Sequence, residues 1–353
     1  MLHQANPPAC SPEMECILDL QEKLLDFGCR HDAFLMDDLV AEFGQILADW
    51  LYENHVRVLD SLKAFMRLAP EPQKRQILEQ FKHDRLFGLL TDDPSFKFAL
   101  MKTDASQNYI KEISRWLIGF YNQLETSGFH PYVCGHKDSG FTKKTWWEGY
   151  RFANPGTSTC SVCDGSLNAG GESIDHFFPK SQYPALSIHP VNLLPLCKRC
   201  NNDVKKEKDP LATSTITEVF LPYRRYVRPE VTLSFSDNGQ GGYAVCLTPK
   251  TDDPLSKKRV ENFEYLFDIS NRWSKALGEI SEIAISRARQ YIEVVQESGQ
   301  PISPKTVPAY IDALCTKMER SWGKTHYEYL ATEWLRWAKA HKPALLQSLA
   351  NYS

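Results

Sequence analysis

The stretch "CSVCDGSLNAGGESIDHFFPKSQYPALSIHPVNLLPLCKRCNN", residues 160–202, contains two CxxC pairs separated by 33 residues. Two residues between paired cysteines allow both sulfurs to reach one ion at about 2.3 Å. Four thiolates around one centre leave no free coordination position, so we expect a structural zinc ion here. The expected ligands are Cys160, Cys163, Cys197 and Cys200. Two redox-active CxxC motifs would need a βαβ context that this sequence lacks.

The segment between the cysteine pairs contains an adjacent Asp175 and His176. They follow "GESI" and are predicted to lie on a short strand. Carboxylate oxygens suit Mg²⁺ or Mn²⁺, and a neutral imidazole near pH 7 suits a general base. A lone histidine is more often structural than catalytic. This histidine directly follows an aspartate and lies between two expected zinc knuckles, and that arrangement favours a catalytic site.

Further residues of this stretch follow in a specific order. Pro179 lies three residues after His176, Asn192-Leu193 precede the second cysteine pair, and Asn201 follows the last cysteine. Together with the Asp-His pair and the four cysteines, this pattern resembles the HNH endonuclease family, in the branch whose finger is held by cysteine pairs. The resemblance covers residues 157–210, about a seventh of the chain, and implies a ββα-metal fold.

The resemblance also implies a role for each matching residue. His176 would be the general base, while Asp175 and Asn201 would bind the catalytic Mg²⁺ or Mn²⁺. Asn192 would fix the loop that carries the histidine through backbone hydrogen bonds. The family often has histidine at the position of Asn201, and asparagine keeps an oxygen donor there. The implied reaction is metal-assisted phosphodiester hydrolysis that leaves a 5′-phosphate and a 3′-hydroxyl.

Basic residues accumulate after the second cysteine pair. Residues 197–228 contain eight positive and four negative side chains, in a chain of net charge −3. Because phosphate contacts supply most sequence-independent affinity, we expect double-stranded DNA at this local patch. The candidate substrate contacts are Lys180, Lys205 and Lys208, although a solvated helix face also explains some of these lysines. His189 is a weaker candidate for a phosphate or metal contact.

Composition restricts the class of protein. Of the 353 residues, 42% are hydrophobic and 24% charged, as in ordinary globular proteins. No apolar run approaches the roughly 18 residues that cross a bilayer, and the first residues lack the pattern of a secretory signal. We therefore expect a cytoplasmic protein, without membrane contact, whose cysteines are reduced.

The periodicity predicts three regions. Residues 1–127 form a helical lobe, 128–250 the nuclease module with a following β-hairpin, and 251–353 a second helical lobe. The hairpin is expected from "VTLSF" and "YAVCLTP", joined by "SDNGQGG". The fold class is thus mostly α with a small α+β ββα-metal module stabilised by a zinc site of four cysteines.

Two details of this interpretation concern single segments. Asp93-Pro94 predicts a helix start, and the segment before Cys160 shows no helical period. Within that segment, "TKKTWWEGYR" either stacks on nucleic acid or packs Trp146 and Trp147 against the zinc module, which is the commoner outcome.

Two functional classes remain open from the sequence. The first is a metal-dependent endonuclease that cuts DNA. By analogy with bacterial anti-phage effectors, its helical lobes would dock a partner ATPase or sensor, or a second copy of the chain. The alternative is a zinc-ribbon nucleic-acid-binding or scaffold protein with a degenerate, inactive nuclease site.

Overall fold

The computed structural model describes residues 2–54, 56–100, 107–133, 140–168, 172–237 and 242–352. The described chain is mostly helical and contains two small antiparallel sheets, β1–β2 and β3–β4. Its helices are α1 (Ser11–Arg30), α2 (Met36–Phe43), α3 (Gln45–Asn54), α4 (Val56–Leu68), α5 (Glu71–Arg85), α6 (Asn108–Glu125), α7 (Lys143–Ala153), α8 (Pro254–Phe267), α9 (Ile269–Glu297), α10 (Val307–Glu319), α11 (Glu328–His341) and α12 (Pro343–Ala350). Its strands are β1 (Glu172–His176), β2 (Leu193–Cys197), β3 (Val231–Asp237) and β4 (Tyr243–Pro249).

The first part of the chain is helical, as its periodicity predicts. The long apolar pattern after residue 33 forms three helices, α2 to α4. The prediction that a helix starts at Asp93-Pro94 is wrong. The Asp93 carboxylate accepts a hydrogen bond of 2.8 Å from the backbone N–H of Ser95 and one of 2.6 Å from its hydroxyl. The same side chain that can cap a helix therefore closes a local turn here.

Helix α7 lies in the segment for which no helical period was expected, and this expectation is wrong. Thr142 caps the helix through a reciprocal capping box with Thr145. Trp146, Trp147 and Tyr150 then bury one face of the helix, with the Trp146 and Tyr150 rings stacked at a centroid distance of 5.8 Å. Because both tryptophans are buried, their rings are not available to stack on nucleic acid, and their packing against the zinc module stays a prediction.

The strands β1 and β2 pair antiparallel and form the centre of the cysteine-rich module. Glu172 lies opposite Cys197 at one end of the ladder, and His176 lies opposite Leu193 at the other. Placement of the Asp-His pair on a short strand is confirmed. A short π-helical segment, Arg199–Lys205, follows β2 directly. The module therefore contains two paired strands followed by a helical turn.

The predicted β-hairpin is confirmed by β3 and β4, although residues 238–241 of its turn lie outside the described residues. Helix α9 covers the outer edge of β4. The hydroxyl of Ser274 accepts from the N–H of Val245 at 2.9 Å, and that of Ser270 accepts from Leu247 at 3.2 Å. Side-chain oxygens thus satisfy strand amides that would otherwise be a bare sheet edge.

The N-terminal helices pack directly against the cysteine-rich module. The Ser187 hydroxyl donates to the carbonyl of Leu117 in α6 at 2.7 Å. The ring of Phe178 packs edge-on against Phe87 and Phe98, at centroid distances of 5.3 and 5.1 Å. Among the described helices, none has the length and apolar character required to span a membrane. The boundaries proposed near residues 127 and 250 stay predictions.

Candidate functional site

The four cysteines of the two CxxC pairs form one buried cluster. Their sulfurs all lie within 4.8 Å of one another. The Sγ atoms of Cys163 and Cys197 are 3.7 Å apart, too far for a disulfide of about 2.05 Å. Tetrahedral coordination with bonds of about 2.3 Å places sulfurs about 3.8 Å apart. The cluster therefore has the composition, burial and spacing to hold a structural zinc ion.

Donors from inside and outside the module point at these sulfurs. The backbone N–H of Cys197 donates to Cys160 Sγ, and that of Cys200 to Cys197 Sγ, both at 3.5 Å. From α9, Arg272 Nη1 donates to Cys200 Sγ at 3.3 Å. These donors offset the negative charge that four buried thiolates around a dication retain. The adjacent Trp273 donates to the carbonyl of Cys163 at 3.0 Å, so α9 is fixed to the cluster twice.

Asp175 and His176 lie toward the opposite end of the ladder and line an open cleft of about 430 Å³. The described lining includes Ser173, Asp175, His176, Lys180, Asn201 and Lys205 from the module, and Tyr121 and Glu125 from α6. The structure thus brings together in one cleft five of the candidate residues that the sequence indicated. The cleft is therefore the candidate active site.

The Asp175 carboxylate is buried and has only part of its bonding capacity used. Its Oδ2 faces Lys205 Nζ at 3.2 Å as an ion-pair partner and has no further polar partner within the described residues. Burial raises the pKa of the Asp175 carboxyl, and the charge of Lys205 opposes that rise. The carboxylate of the cleft therefore has one ammonium group beside it.

One hydrogen bond determines which ring nitrogen of His176 carries the proton. Nε2 lies 2.8 Å from the carbonyl oxygen of Ser187. Because a carbonyl only accepts, Nε2 carries the proton, and Nδ1 is the acceptor of the neutral ring. Tyr121 packs edge-on against the ring at 4.2 Å. Burial, and then the charge of Lys180, lower the pKa of His176 to about 3, so the imidazole is neutral near pH 7.

Asn192 is fully buried and lies behind the cleft. Its amide oxygen accepts from the N–H of Phe178 at 2.7 Å, and its Nδ2 donates to the carbonyls of Phe178 at 3.1 Å and Leu186 at 2.9 Å. These three bonds tie the loop after His176 to the turn before β2. The residue therefore organises backbone around the histidine and does not line the cleft.

Asn201 lies at the first turn of the π-helical segment. Its Nδ2 donates to the hydroxyl of Ser173 at 2.7 Å. Ser173 and Asp175 project from the same face of β1, because side chains two apart on a strand share a face. This bond therefore fixes Asn201 beside the face of Asp175, with the amide oxygen left without a hydrogen bond among the described residues.

The three candidate DNA-binding lysines have different surroundings. Lys180 lines the cleft, with Nζ 4.1 Å from the centroid of the Tyr121 ring, and burial lowers its pKa. Lys205 is almost fully buried beside Asp175. Lys208 donates to the carbonyls of Tyr265 and Leu266 at the end of α8, at 2.8 and 3.3 Å. Contact of any of them with DNA stays a prediction.

His189 is buried away from the cleft. Its Nε2 lies 3.2 Å from the carbonyl of Arg85, and its ring packs against Phe87. Burial lowers the pKa of His189 to about 4. This histidine therefore joins the module to the end of α5 as a neutral side chain.

Sequence reasoning missed the partners that other elements contribute. Tyr121 packs on His176 and also donates to the carbonyl of Ile174 at 2.8 Å, so it supports β1 and the histidine together. Arg272 contacts the cysteine cluster from α9. Tyr121 lies 53 positions from Ile174, and Arg272 lies 72 positions from Cys200. Neither residue belongs to a local motif, so the sequence indicated only that each lies in an amphipathic helix.

Comparisons with known proteins give two partial similarities. The chain is 26% identical over 133 residues to "Protein ea31" of Escherichia phage lambda, covering 36% of this chain and 44% of that protein. It is 39% identical over 64 residues to "Septu protein PtuB" of Bacillus thuringiensis, covering 16% of this chain and 24% of that protein. The chain thus matches less than half the length of either relative. No protein-family model and no solved structure matches the sequence.

Proposed function

We propose that this protein is a metal-dependent endonuclease of the HNH type that hydrolyses DNA phosphodiester bonds in the cleft of Asp175 and His176. The observation that carries the proposal is the neutral, oriented imidazole of His176 beside a buried carboxylate in one open cleft. A base and a cation-binding carboxylate side by side are what water activation near a phosphate needs.

The oxygens of the cleft fit a divalent cation. Asp175 lines the cleft with its Oδ2 3.2 Å from Lys205 Nζ, an ion-pair partner that a metal ion would replace, and the amide oxygen of Asn201 is held beside the same strand face. Carboxylate and amide oxygens are the donors that Mg²⁺ and Mn²⁺ prefer. When bound, such an ion supplies charge neutralisation at the phosphate and at the leaving oxygen. Asp175 and Asn201 would hold it.

The remaining chemistry belongs to His176 and its supports. Nδ1 accepts a proton from a water molecule as the water oxygen attacks phosphorus. The bond from phosphorus to the 3′-oxygen breaks, and that oxygen takes a proton from solvent, giving a 5′-phosphate and a 3′-hydroxyl. The carbonyl of Ser187 stabilises the imidazolium through Nε2–H. Lys180, at the cleft wall, would contact the substrate backbone.

A plasmid assay tests the proposal directly. Supercoiled DNA is incubated with the purified chain and Mg²⁺ or Mn²⁺, and nicked and linear products are quantified. We expect His176→Ala to lower the cleavage rate by about 10²- to 10⁴-fold, because the base is lost, with zinc content and the fold retained. His341→Ala changes an exposed histidine on α11 and is the matched control. Cleavage by His176→Ala at the wild-type rate would refute the assignment.

A second candidate function is a nucleic-acid-binding or scaffold protein with an inactive site. The observation that favours it is the ion pair of Asp175 with Lys205, which neutralises the carboxylate without a metal. Under this alternative, wild type and His176→Ala bind DNA equally and neither cuts it with any divalent metal. The same plasmid assay, run beside a DNA-binding measurement, therefore separates the two functions.

For biological context we propose a role in anti-phage defence. The partial similarity to Septu protein PtuB supports it, while the similarity to a protein of phage lambda means that a phage carries a related sequence as well. Docking of a partner ATPase or sensor on the helical lobes is part of this proposal. Plating of phage on bacteria that express the wild-type chain or His176→Ala, with and without neighbouring genes, tests it. Equal phage titres on both strains in every arrangement would contradict it.

A further inference from the structure

A second, smaller pocket lies beside the first cysteine pair. It has a volume of about 160 Å³ and is lined by His3, Tyr150, Thr159, Arg228, Trp322 and Lys324, among others. We call it the seam pocket, because the N-terminal segment, the first cysteine pair and the segment between α10 and α11 meet there. It shares no lining residue with the cleft.

Two buried polar atoms of the seam pocket lack partners. Thr159 is 1% exposed, and its hydroxyl makes no hydrogen bond within the described residues. His3 is 7% exposed, and its Nδ1 is likewise without a partner there, although its Nε2 bonds Asp164 at 2.6 Å. A buried hydroxyl left unsatisfied costs about 1–3 kcal/mol, so native proteins usually give it a partner. A bound ligand would supply it.

Two cationic side chains line the same pocket without carboxylate partners. Within the described part of the chain, neither Arg228 nor Lys324 forms an ion pair. Arg228 stacks on the ring of Trp322 at 4.6 Å, which fixes the plane of the guanidinium and leaves its N–H edges available. Asp164 is a buried anion nearby, but its two oxygens accept from His3 Nε2 at 2.6 Å and from the N–H of Tyr329 at 3.0 Å, so neither oxygen is bonded to Arg228 or Lys324.

We propose that the seam pocket binds the phosphate group of a small ligand, independently of the nuclease cleft. Two positive charges match a dianion, the guanidinium edge and the Thr159 hydroxyl supply hydrogen-bond donors, and the volume accommodates a phosphate group with part of what it is attached to. The pocket includes Thr159 and Ser161, which flank Cys160. A ligand there therefore bridges the first cysteine pair to the segment between α10 and α11.

Calorimetric titration of the full, zinc-containing chain with inorganic phosphate, in buffer without added divalent metal, tests the proposal. We expect one binding site. Arg228→Gln should weaken phosphate binding by about tenfold or more, because it removes a charge-assisted contact. Thr159→Val keeps the side-chain shape and removes only the unpartnered hydroxyl, so it should weaken binding by about three- to tenfold without lowering the melting temperature of the ligand-free chain.

Lys324→Gln, at an exposed position, provides a third variant that should fold normally even where Arg228→Gln does not, and it should also weaken binding. Lys180→Gln, in the cleft, is the matched control and should leave the affinity unchanged. Absence of heat with wild type, or loss of binding in Lys180→Gln alone, would overturn the proposal. Titration with a nucleoside 5′-monophosphate distinguishes the source: tighter binding than inorganic phosphate identifies a nucleotide, and equal binding identifies the free oxyanion.

Discussion

The two ends of the β1–β2 ladder differ in how they are built. At the Cys197 end, four chemically identical ligands surround one point, are buried, and come from two short motifs. At the His176 end, the cleft is open and combines a carboxylate and an imidazole from β1 with an amide and an ammonium from the π-helical segment. The closed end can only stabilise, since it offers no free coordination position. The open end has room for a substrate.

The two ends also depend on each other through the ladder. The five paired residues of each strand hold the cleft at a fixed distance from the cysteine cluster. Asn201 directly follows Cys200, so the cluster also fixes the start of the segment that carries the amide side chain of the cleft. The cysteine cluster therefore fixes the positions of residues in the cleft. Substitutions in the cluster should lower stability, whereas substitutions in the cleft should change activity.

The largest expected effect comes from breaking the closed end. Cys197→Ser should release zinc and unfold the module, with a loss in the free energy of unfolding of at least about 5 kcal/mol, because metal binding in such sites is folding energy. Metal analysis and urea denaturation measure both. Cys246→Ser, which changes an exposed cysteine in β4, is the control and should leave zinc content and stability unchanged. Wild-type stability of the Cys197→Ser protein would contradict the stabilising role of the cysteine cluster.

The next largest effect on stability should come from Asn192, which lies just beyond the His176 end of the ladder. Asn192→Ala removes three hydrogen bonds in a fully buried position and should cost about 3 kcal/mol. Zinc should stay bound, because the side chain does not contact the cluster. Urea denaturation together with metal analysis checks both statements. Loss of zinc in this variant would mean that the loop and the cluster form one unit.

The stability of the fold should depend on pH through His189, which lies outside both ends of the ladder. Its pKa in the folded chain, about 4, lies below the ordinary value of 6.5, so the unfolded state binds more protons between these values. Its contribution to stability is complete above about pH 6.5 and is lost as the pH falls toward 4, by about 1.4 kcal/mol per pH unit. His176 acts with the same sign. Urea denaturation between pH 7 and 5.5 should give a shallower slope for His189→Asn than for wild type, and equal slopes would contradict the assignment.

The smallest effect distinguishes Lys205, which lines the cleft, from Lys208, which lies at the end of α8. Lys208→Met should lower the free energy of unfolding by about 0.5–1 kcal/mol, because its bonds to the last carbonyls of α8 are partly exposed, and should leave DNA cleavage nearly unchanged. Lys205→Met, three residues earlier, removes the cation beside Asp175 and should change cleavage more than about tenfold. Cleavage and denaturation measured on both variants test this. An equal effect of the two substitutions on cleavage would favour a shared role in DNA contact.

Much of the fold could be predicted because its signals are local. The helical period marked most helices, and Asn/Gly-rich residues between two alternating runs marked the hairpin. Errors arose where one local signal had two outcomes. Asp93 closes a turn rather than capping a helix, and Thr142 starts a helix whose apolar face is made of aromatic residues.

The sequence by itself determined the cysteine cluster, because two CxxC motifs fix the distance between paired sulfurs within a few bonds. It also indicated that Asp175 and His176 lie together on a strand. Only the tertiary structure decided which nitrogen of His176 is free, that Lys205 is buried against Asp175, and that Arg272 reaches Cys200. These contacts join separate elements of the fold. Burial and protonation depend on every element packed around a group, and no local spacing encodes that packing.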